Sequence, residues 1–333
     1  MDSLLKVNAE GREYTLGWRG NDKGSVEVEV ASLIKRVARG KHGSEHLSQD
    51  EARFVFSELL NPQVDELQLG AFLIAQRMKG EVSEELAGFV QAAREHISHF
   101  DVIKAPEGAV DLPCYAGKRR AAHAYLIAAL EARDKGIPIF VHGVSSIQGR
   151  VTAWQVLQTA GVKSASSLSE AKNIMQEHGI VYMDLADLCP DLSRIYHLRD
   201  RLGVRSFANT VARLLNPMQC DKQLNGFFHT PYAEYMAQAN VLLGQKESLI
   251  FMGAEGEPEL YADRQKVVNQ QVGSKVEQVK FEDCGCETYP KQAVDDLQQI
   301  YDDFQRMLNG DRTEREQATI DRVRKHLYIK DFS

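Results

Sequence analysis

Four stretches between Glu29 and His99, "EVASLIKRVARG", "LSQDEARFVFSELL", "VDELQLGAFLIAQRMKG" and "VSEELAGFVQAAREHI", repeat apolar residues three and four positions apart. That spacing belongs to helices that bury one face, and it predicts four helices packed on one another. Ser48, ahead of Gln49, Asp50 and Glu51, is placed to cap the second helix, and Ser83, ahead of "EELAGFV", to cap the fourth, with Gly80 closing the third. From Ala109 the pattern changes. Short apolar segments, "AVDLP", "IPIFVHG" and "IVYMDL", alternate with the helical "AAHAYLIAALEA", "VTAWQVLQTAGV" and "SEAKNIMQEHG". Such alternation predicts a parallel sheet covered by helices. Helical character returns over Leu192 to Leu215, interrupted by Gly203 and ended by Asn216 and Pro217. Strand-like "LNGFFHT", "ESLIFMGA" and "EPELYA" follow, and a polar helix near "AVDDLQQIYDDFQRMLNG" closes the pattern.

At 333 residues, 43% hydrophobic and 26% charged, the chain can build one large two-part fold or two domains, and disorder is excluded. The N-terminus lacks a cationic stretch followed by an apolar core, and no apolar run approaches the length of a membrane helix, so a cytoplasmic protein without a membrane partner is expected. Five scattered cysteines read as reduced and structural, the "DCGCE" pair Cys284 and Cys286 included. The net charge of −7 argues against a broadly basic coat. Its distribution is uneven, however: residues 111–220 hold 13 Lys and Arg against 9 Asp and Glu, a local balance of +4. Arg194, Arg199, Arg201, Arg205 and Arg213 fall within one short span of that third, facing only Asp191 and Asp200.

Three segments carry a resemblance. "LSQDEARFVFSELLNPQVDELQLGAFLIAQRMKGEVSEELAGFVQAARE", then "VHG" with "VLQTAGV", then "LRDRLGVRSFANTVARLLNP", resemble in order the helical segment, the "KHG" strand end and the "RRELGVRT" segment of the anthranilate phosphoribosyltransferase family, glycosyltransferase family 3. The resemblance implies a nucleoside phosphorylase/phosphoribosyltransferase-like fold: a small α-helical domain and a larger α/β domain with a mainly parallel central sheet. It implies boundaries at 1–28 for an N-terminal extension, 29–99 with 192–215 for the helical, dimer-forming domain, and 100–191 with 216–333 for the α/β domain.

The family's chemistry displaces pyrophosphate from phosphoribosyl pyrophosphate, using a glycine-rich phosphate loop and a carboxylate pair for Mg²⁺. Where the family carries "GTGGDG", this chain has "LPCYAGKRR", keeping Gly117 alone. Pro113 removes an amide donor and Tyr115 adds bulk, while Lys118, Arg119 and Arg120 add charge. The family's Asp-Glu metal pair falls on Pro258 and Glu259, with Glu255 and Glu257 as possible substitutes. This pattern is similar to that of the TrpD-like, YbiB-type branch, associated with nucleic-acid binding.

Three functions stay open on these residues. The first is sequence-nonspecific binding of nucleic acid, single-stranded DNA favoured with the choice between DNA and RNA left open, by a homodimer without cofactor. Lys118, Arg119, Arg120, Arg150, Arg194, Arg199, Arg201 and Arg205 would contact phosphates, and Tyr115 would stack a base, with Tyr125, Tyr196 and His197 as weaker stacking candidates. The second is phosphoribosyl transfer to a different acceptor, with Gly117, His142, Gly143 and Arg199 at the substrate and Glu257 and Glu259 holding Mg²⁺. The third is docking of an acidic peptide. No catalytic residue is assigned.

Overall fold

The computed structural model describes residues 29–40, 42–228 and 232–328, together with an antiparallel pair of short strands, β1 (Leu5–Val7) and β2 (Glu13–Thr15). The "GWRGNDKG" stretch of the N-terminal extension lies outside the described residues.

Helices α1 (Val30–Val37), α2 (Gln49–Leu60), α3 (Glu66–Lys79) and α4 (Ser83–Glu95) form the expected bundle. Ser48 caps α2 in a capping box: its hydroxyl accepts the Glu51 amide at 3.2 Å and Glu51 accepts the Ser48 amide at 2.9 Å. Ser83 does not cap α4. The helix begins at Ser83 itself, and Glu85 reaches back to the Val82 amide at 3.1 Å and the Leu47 amide at 2.8 Å. The Glu85 carboxylate thus serves the helix start in place of a Ser83 hydroxyl, and Lys79, 2.7 Å away, neutralises it. Helix α4 is the bundle's centre, and Gly88 lets α2 lie against it: a Cβ there would come within 2.3 Å of the Gln49 carbonyl.

The second layer starts at β3 (Val110–Cys114), followed by α5 (Ala124–Asp134), β4 (Ile139–Gly143), α6 (Ala153–Leu157), β5 (Ser164–Ala165), α7 (Leu168–His178), β6 (Ile180–Asp184) and α8 (Leu185–Leu188). The chain then returns to the bundle through α9 (Pro190–Tyr196), α10 (Arg199–Leu202) and α11 (Ala208–Leu214), broken at Gly203 with φ +72°. Phe207 anchors this return, its ring 4.3 Å from Phe89 and in contact with Phe56 and Phe72. Burying Phe207 there, at about 25 cal/mol per Å² of apolar surface, contributes on the order of 2–3 kcal/mol to holding the returning segment on the bundle.

Strand β7 (Lys222–Phe227), α12 (Tyr232–Leu242), β8 (Glu247–Met252), β9 (Lys266–Val272), β10 (Lys275–Phe281), α13 (Gln298–Leu308) and α14 (Glu314–Tyr328) complete the chain. The eight-stranded sheet has the order β10-β9-β8-β7-β3-β4-β6-β5, parallel from β8 to β5 and antiparallel at the β8–β9–β10 edge. One sequence expectation fails here, and one element went unread. "EPELYA" is not a strand, because its glutamates are drawn off to partners described below. "KVVNQQVGSKVEQVKF" is a hairpin, turning at Gly273 with φ +56°; its apolar face is covered only in part, which blurred the alternation.

Candidate functional site

In the parallel core of the sheet the strand ends point one way, and the connections after β3, β4 and β8 meet beyond them, where open α/β sheets hold ligands. Helices α9 and α11 face these connections from the other layer. The Tyr196 hydroxyl donates to the Tyr115 carbonyl at 2.9 Å, and the Arg213 guanidinium lies 5.7 Å from the Tyr115 ring centre.

The turn after β3 is a nest of amide donors, as a strand-to-helix connection tends to be, and carboxylates of this same chain fill it. Glu257 accepts the Ala116 amide at 2.9 Å and the Gly117 amide at closer range. Glu255 accepts the Arg119 and Arg120 amides, each at 3.0 Å, and Glu259 accepts the Tyr125 amide at 3.2 Å. Lys118 is wholly buried, ion-paired to Glu259 and donating to the Ala122 carbonyl at 2.7 Å. Gly226 and Gly253 make room, since a Cβ at either would fall within about 2 Å of the Glu257 carbonyl oxygen, at 2.1 and 1.8 Å. Tyr289 straps the assembly from outside, its hydroxyl 2.9 Å from Glu255 and its ring 5.4 Å from the Lys118 ammonium.

These contacts correct several expectations. Lys118 cannot meet a phosphate, because its charge is spent on Glu259 in the interior. Glu257 and Glu259 are not set out as a Mg²⁺ pair in this arrangement, because their oxygens accept amides and an ammonium, and among the described residues no group of three or more His, Cys, Asp or Glu is arranged for a metal. Tyr115 cannot stack a base: it is buried, with its hydroxyl 2.8 Å from His142 Nδ1. Nor can Tyr125, which is fully buried beside Glu257. His142 is itself buried, with Nε2 3.2 Å from Asp111. A carboxylate only accepts, so Nε2 carries the proton and Nδ1 takes that of Tyr115, which leaves no ring nitrogen for a substrate. Gly143 meets the Cys114 carbonyl, where a Cβ would come within 2.1 Å, so it serves strand packing. Arg194 caps the end of α2 through the Leu59, Leu60 and Asn61 carbonyls at 3.1–3.2 Å, and Arg201 pairs with Glu66 at 3.0 Å.

The remaining cations form a rim. Arg119 is exposed and Arg120 half-buried on the α/β side; Arg199 is exposed and Arg205 half-buried on the helical side. Among the described residues none of these four guanidinium groups pairs with a carboxylate. Arg150 stands on the α/β side, donating to the Gly117 carbonyl at 2.8 Å and lying 3.6 Å from Glu255. Burial, then Arg199 and Arg213, and further off Arg150, hold Arg205 below the ordinary arginine range. Arg150 is lowered by burial and then, against the pull of Glu255, by Arg119 and Arg120. Like charges from both layers therefore lie within electrostatic reach of one another, with Arg150 as the link. His197 is exposed beside Tyr196 at the same edge.

Sequence reasoning missed Tyr289 and Asp111. Asp111 lies in a buried strand as one polar residue among apolar ones, which is a signal. Tyr289 offered none, since its partner is distant in sequence.

Comparison with known proteins agrees with this architecture. Residues 31–97 match the model of the glycosyl transferase family helical bundle domain, and residues 121–330 that of its a/b domain. The uncharacterized protein YbiB of Escherichia coli is 31% identical over 72% of this chain and 74% of its own. An anthranilate phosphoribosyltransferase of Erythrobacter litoralis is 30% identical over 65% of this chain and 64% of its own. The crystal structure of anthranilate phosphoribosyltransferase from Thermus thermophilus superposes with a TM-score of 0.72 at 22% identity, covering 88% of this chain and 87% of that one. With both domain models matched in order, the chain belongs to glycosyltransferase family 3, on the scaffold of the anthranilate phosphoribosyltransferases.

Proposed function

We propose that the protein binds single-stranded nucleic acid, without sequence preference, along the arginine-rimmed cleft. One observation carries this reading: Arg119, Arg120, Arg199 and Arg205, linked by mutual electrostatic influence through Arg150, have no carboxylate partner among the described residues. Unpaired guanidinium groups strung along a groove suit phosphates repeated on a polymer, whose binding releases counterions and needs no cofactor. His197, exposed at the edge, is available to stack a base.

A homodimer fits the same reading. Leu67, 79% exposed, and Met78, 80% exposed, lie with Ala71 and Ile74 along one face of α3, an apolar stripe that a second copy would cover. Two rigidly joined clefts would hold one strand with an effective-concentration gain. A place in the cytoplasm accords with such a ligand, and no helix among the described residues is long and apolar enough to cross a membrane.

The test is fluorescence anisotropy of a labelled single-stranded oligonucleotide titrated at several salt concentrations. Binding whose logarithm falls steeply and linearly with the logarithm of salt is expected; absence of binding at low salt sinks the reading.

Relatives named anthranilate phosphoribosyltransferase, at 30% identity, favour a second reading: phosphoribosyl transfer. It requires Glu255, Glu257 and Glu259 to leave the turn they now fill. Pyrophosphate release on mixing with phosphoribosyl pyrophosphate, Mg²⁺ and an amine would establish it.

A further inference from the structure

The turn after β3 offers five amides, those of Ala116, Gly117, Arg119, Arg120 and Tyr125, to three carboxylates of the chain's own 255–259 segment. We propose that Glu255, Glu257 and Glu259 act as a built-in occupant of an anion cradle and so decide the specificity of the cleft. They exclude a small diphosphate from the inner turn and leave only the outer arginines to phosphates. This rests on reading the cleft as a place for phosphates, and it assigns the exclusion to particular side chains.

Several observations point to occupancy and not to a merely solvated turn. All three glutamates are buried, at 4%, 0% and 2% exposure. Glu255 sits at φ +57°, a left-handed conformation that strains a non-glycine residue and persists only when its surroundings hold it. Two amides and the Tyr289 hydroxyl hold it. Gly226 and Gly253 are shaped around the Glu257 backbone, so the segment is received by the sheet and not draped over it. Burial, the largest influence, raises Glu257 above the ordinary carboxylate range, and Arg213, the Gly117 and Ala116 amides and Lys118 offset part of that penalty. With Glu257 removed, two amides and the nearby Arg213 guanidinium would face a gap of the polarity that a phosphate group fills.

The experiment is isothermal titration of inorganic pyrophosphate, without metal, into the full chain and into Glu257→Ala and Glu255→Ala. The unaltered protein is expected to bind pyrophosphate weakly, and each alanine variant to bind it about tenfold or more tightly, since amides freed of their carboxylate become donors to the anion. Glu257→Gln, which keeps an acceptor in the cradle, is expected to gain less than Glu257→Ala. Should Glu257→Ala fail to fold, Glu255→Ala, which opens only the Arg119 and Arg120 amides, decides the matter. A folded alanine variant with no gain, or an unaltered protein that already binds as tightly as the variants, overturns the proposal. Oligonucleotide anisotropy on the same samples keeps the two readings apart: its failure removes the polymer and leaves the pyrophosphate gain standing.

Discussion

The inner wall of the turn after β3 and the outer rim of the same cleft hold the same residue types to opposite ends. On the inner wall, Lys118 meets Glu259 in the dry interior and Glu255 and Glu257 take the turn's amides. On the rim, the Arg119 side chain, one residue away, is exposed and pairs with no carboxylate among the described residues. A buried cation is part of the fold's own charge balance, whereas an exposed and unpaired one is available to a ligand. Adjacent cations in a sequence therefore do not make a common site unless they share a surface.

Lys118→Ala is the most severe way to break this comparison. It strands Glu259 as a buried, uncompensated charge, and urea denaturation should register a loss of about 3–5 kcal/mol. Loss of oligonucleotide affinity with unchanged stability would place Lys118 on the rim instead.

Glu81 sharpens the comparison from the helical layer, being a buried carboxylate without the amide nest that Glu257 enjoys. Burial, aided by Glu85, pushes it up to about 7, so the folded state holds a proton that the unfolded state releases near the ordinary carboxylate value. Stability should then fall as pH rises from about 4.5 to 7 and level off above, by about 3 kcal/mol from this group. Glu81→Gln should remove that component, and thermal melts of the two proteins at pH 5 and pH 8 compare it directly; equal pH dependence would show that the group is ionised throughout.

On the rim, the double reversal Arg119→Glu with Arg120→Glu should leave stability within about 0.5 kcal/mol, because neither side chain is paired. Anisotropy should register a loss of oligonucleotide affinity of about 2 kcal/mol and a salt slope shallower by about two. An unchanged slope would remove both residues from the interface. Arg201→Ala should do least, since its partner Glu66 is an exposed carboxylate: neither the melting temperature nor the oligonucleotide affinity should move measurably.

The helices of the first layer were legible because each carries its own periodicity and, in α2, its own cap. The parallel sheet was legible from the alternation of short apolar segments with helical ones, and the positive third of the chain from simple counting. The site was legible only in outline. "GAEGEPEL" reads locally as a solvated turn or a metal pair, and nothing in those residues reports that amides some 130 to 140 positions earlier will reach them. His142 and Tyr115 looked available for the same reason, their partners lying on a neighbouring strand or across the turn.

By itself, then, the sequence determined the two-layer architecture and the concentration of cations in its middle third, because helix and strand periodicities and charge are local properties that survive without knowledge of the fold. Which cations face solvent, which glutamates face amides and whether the cradle stands open were decided by tertiary structure. Burial and hydrogen-bond partnership between distant residues arise only once the strand ends bring the turn after β3 and the segment after β8 together.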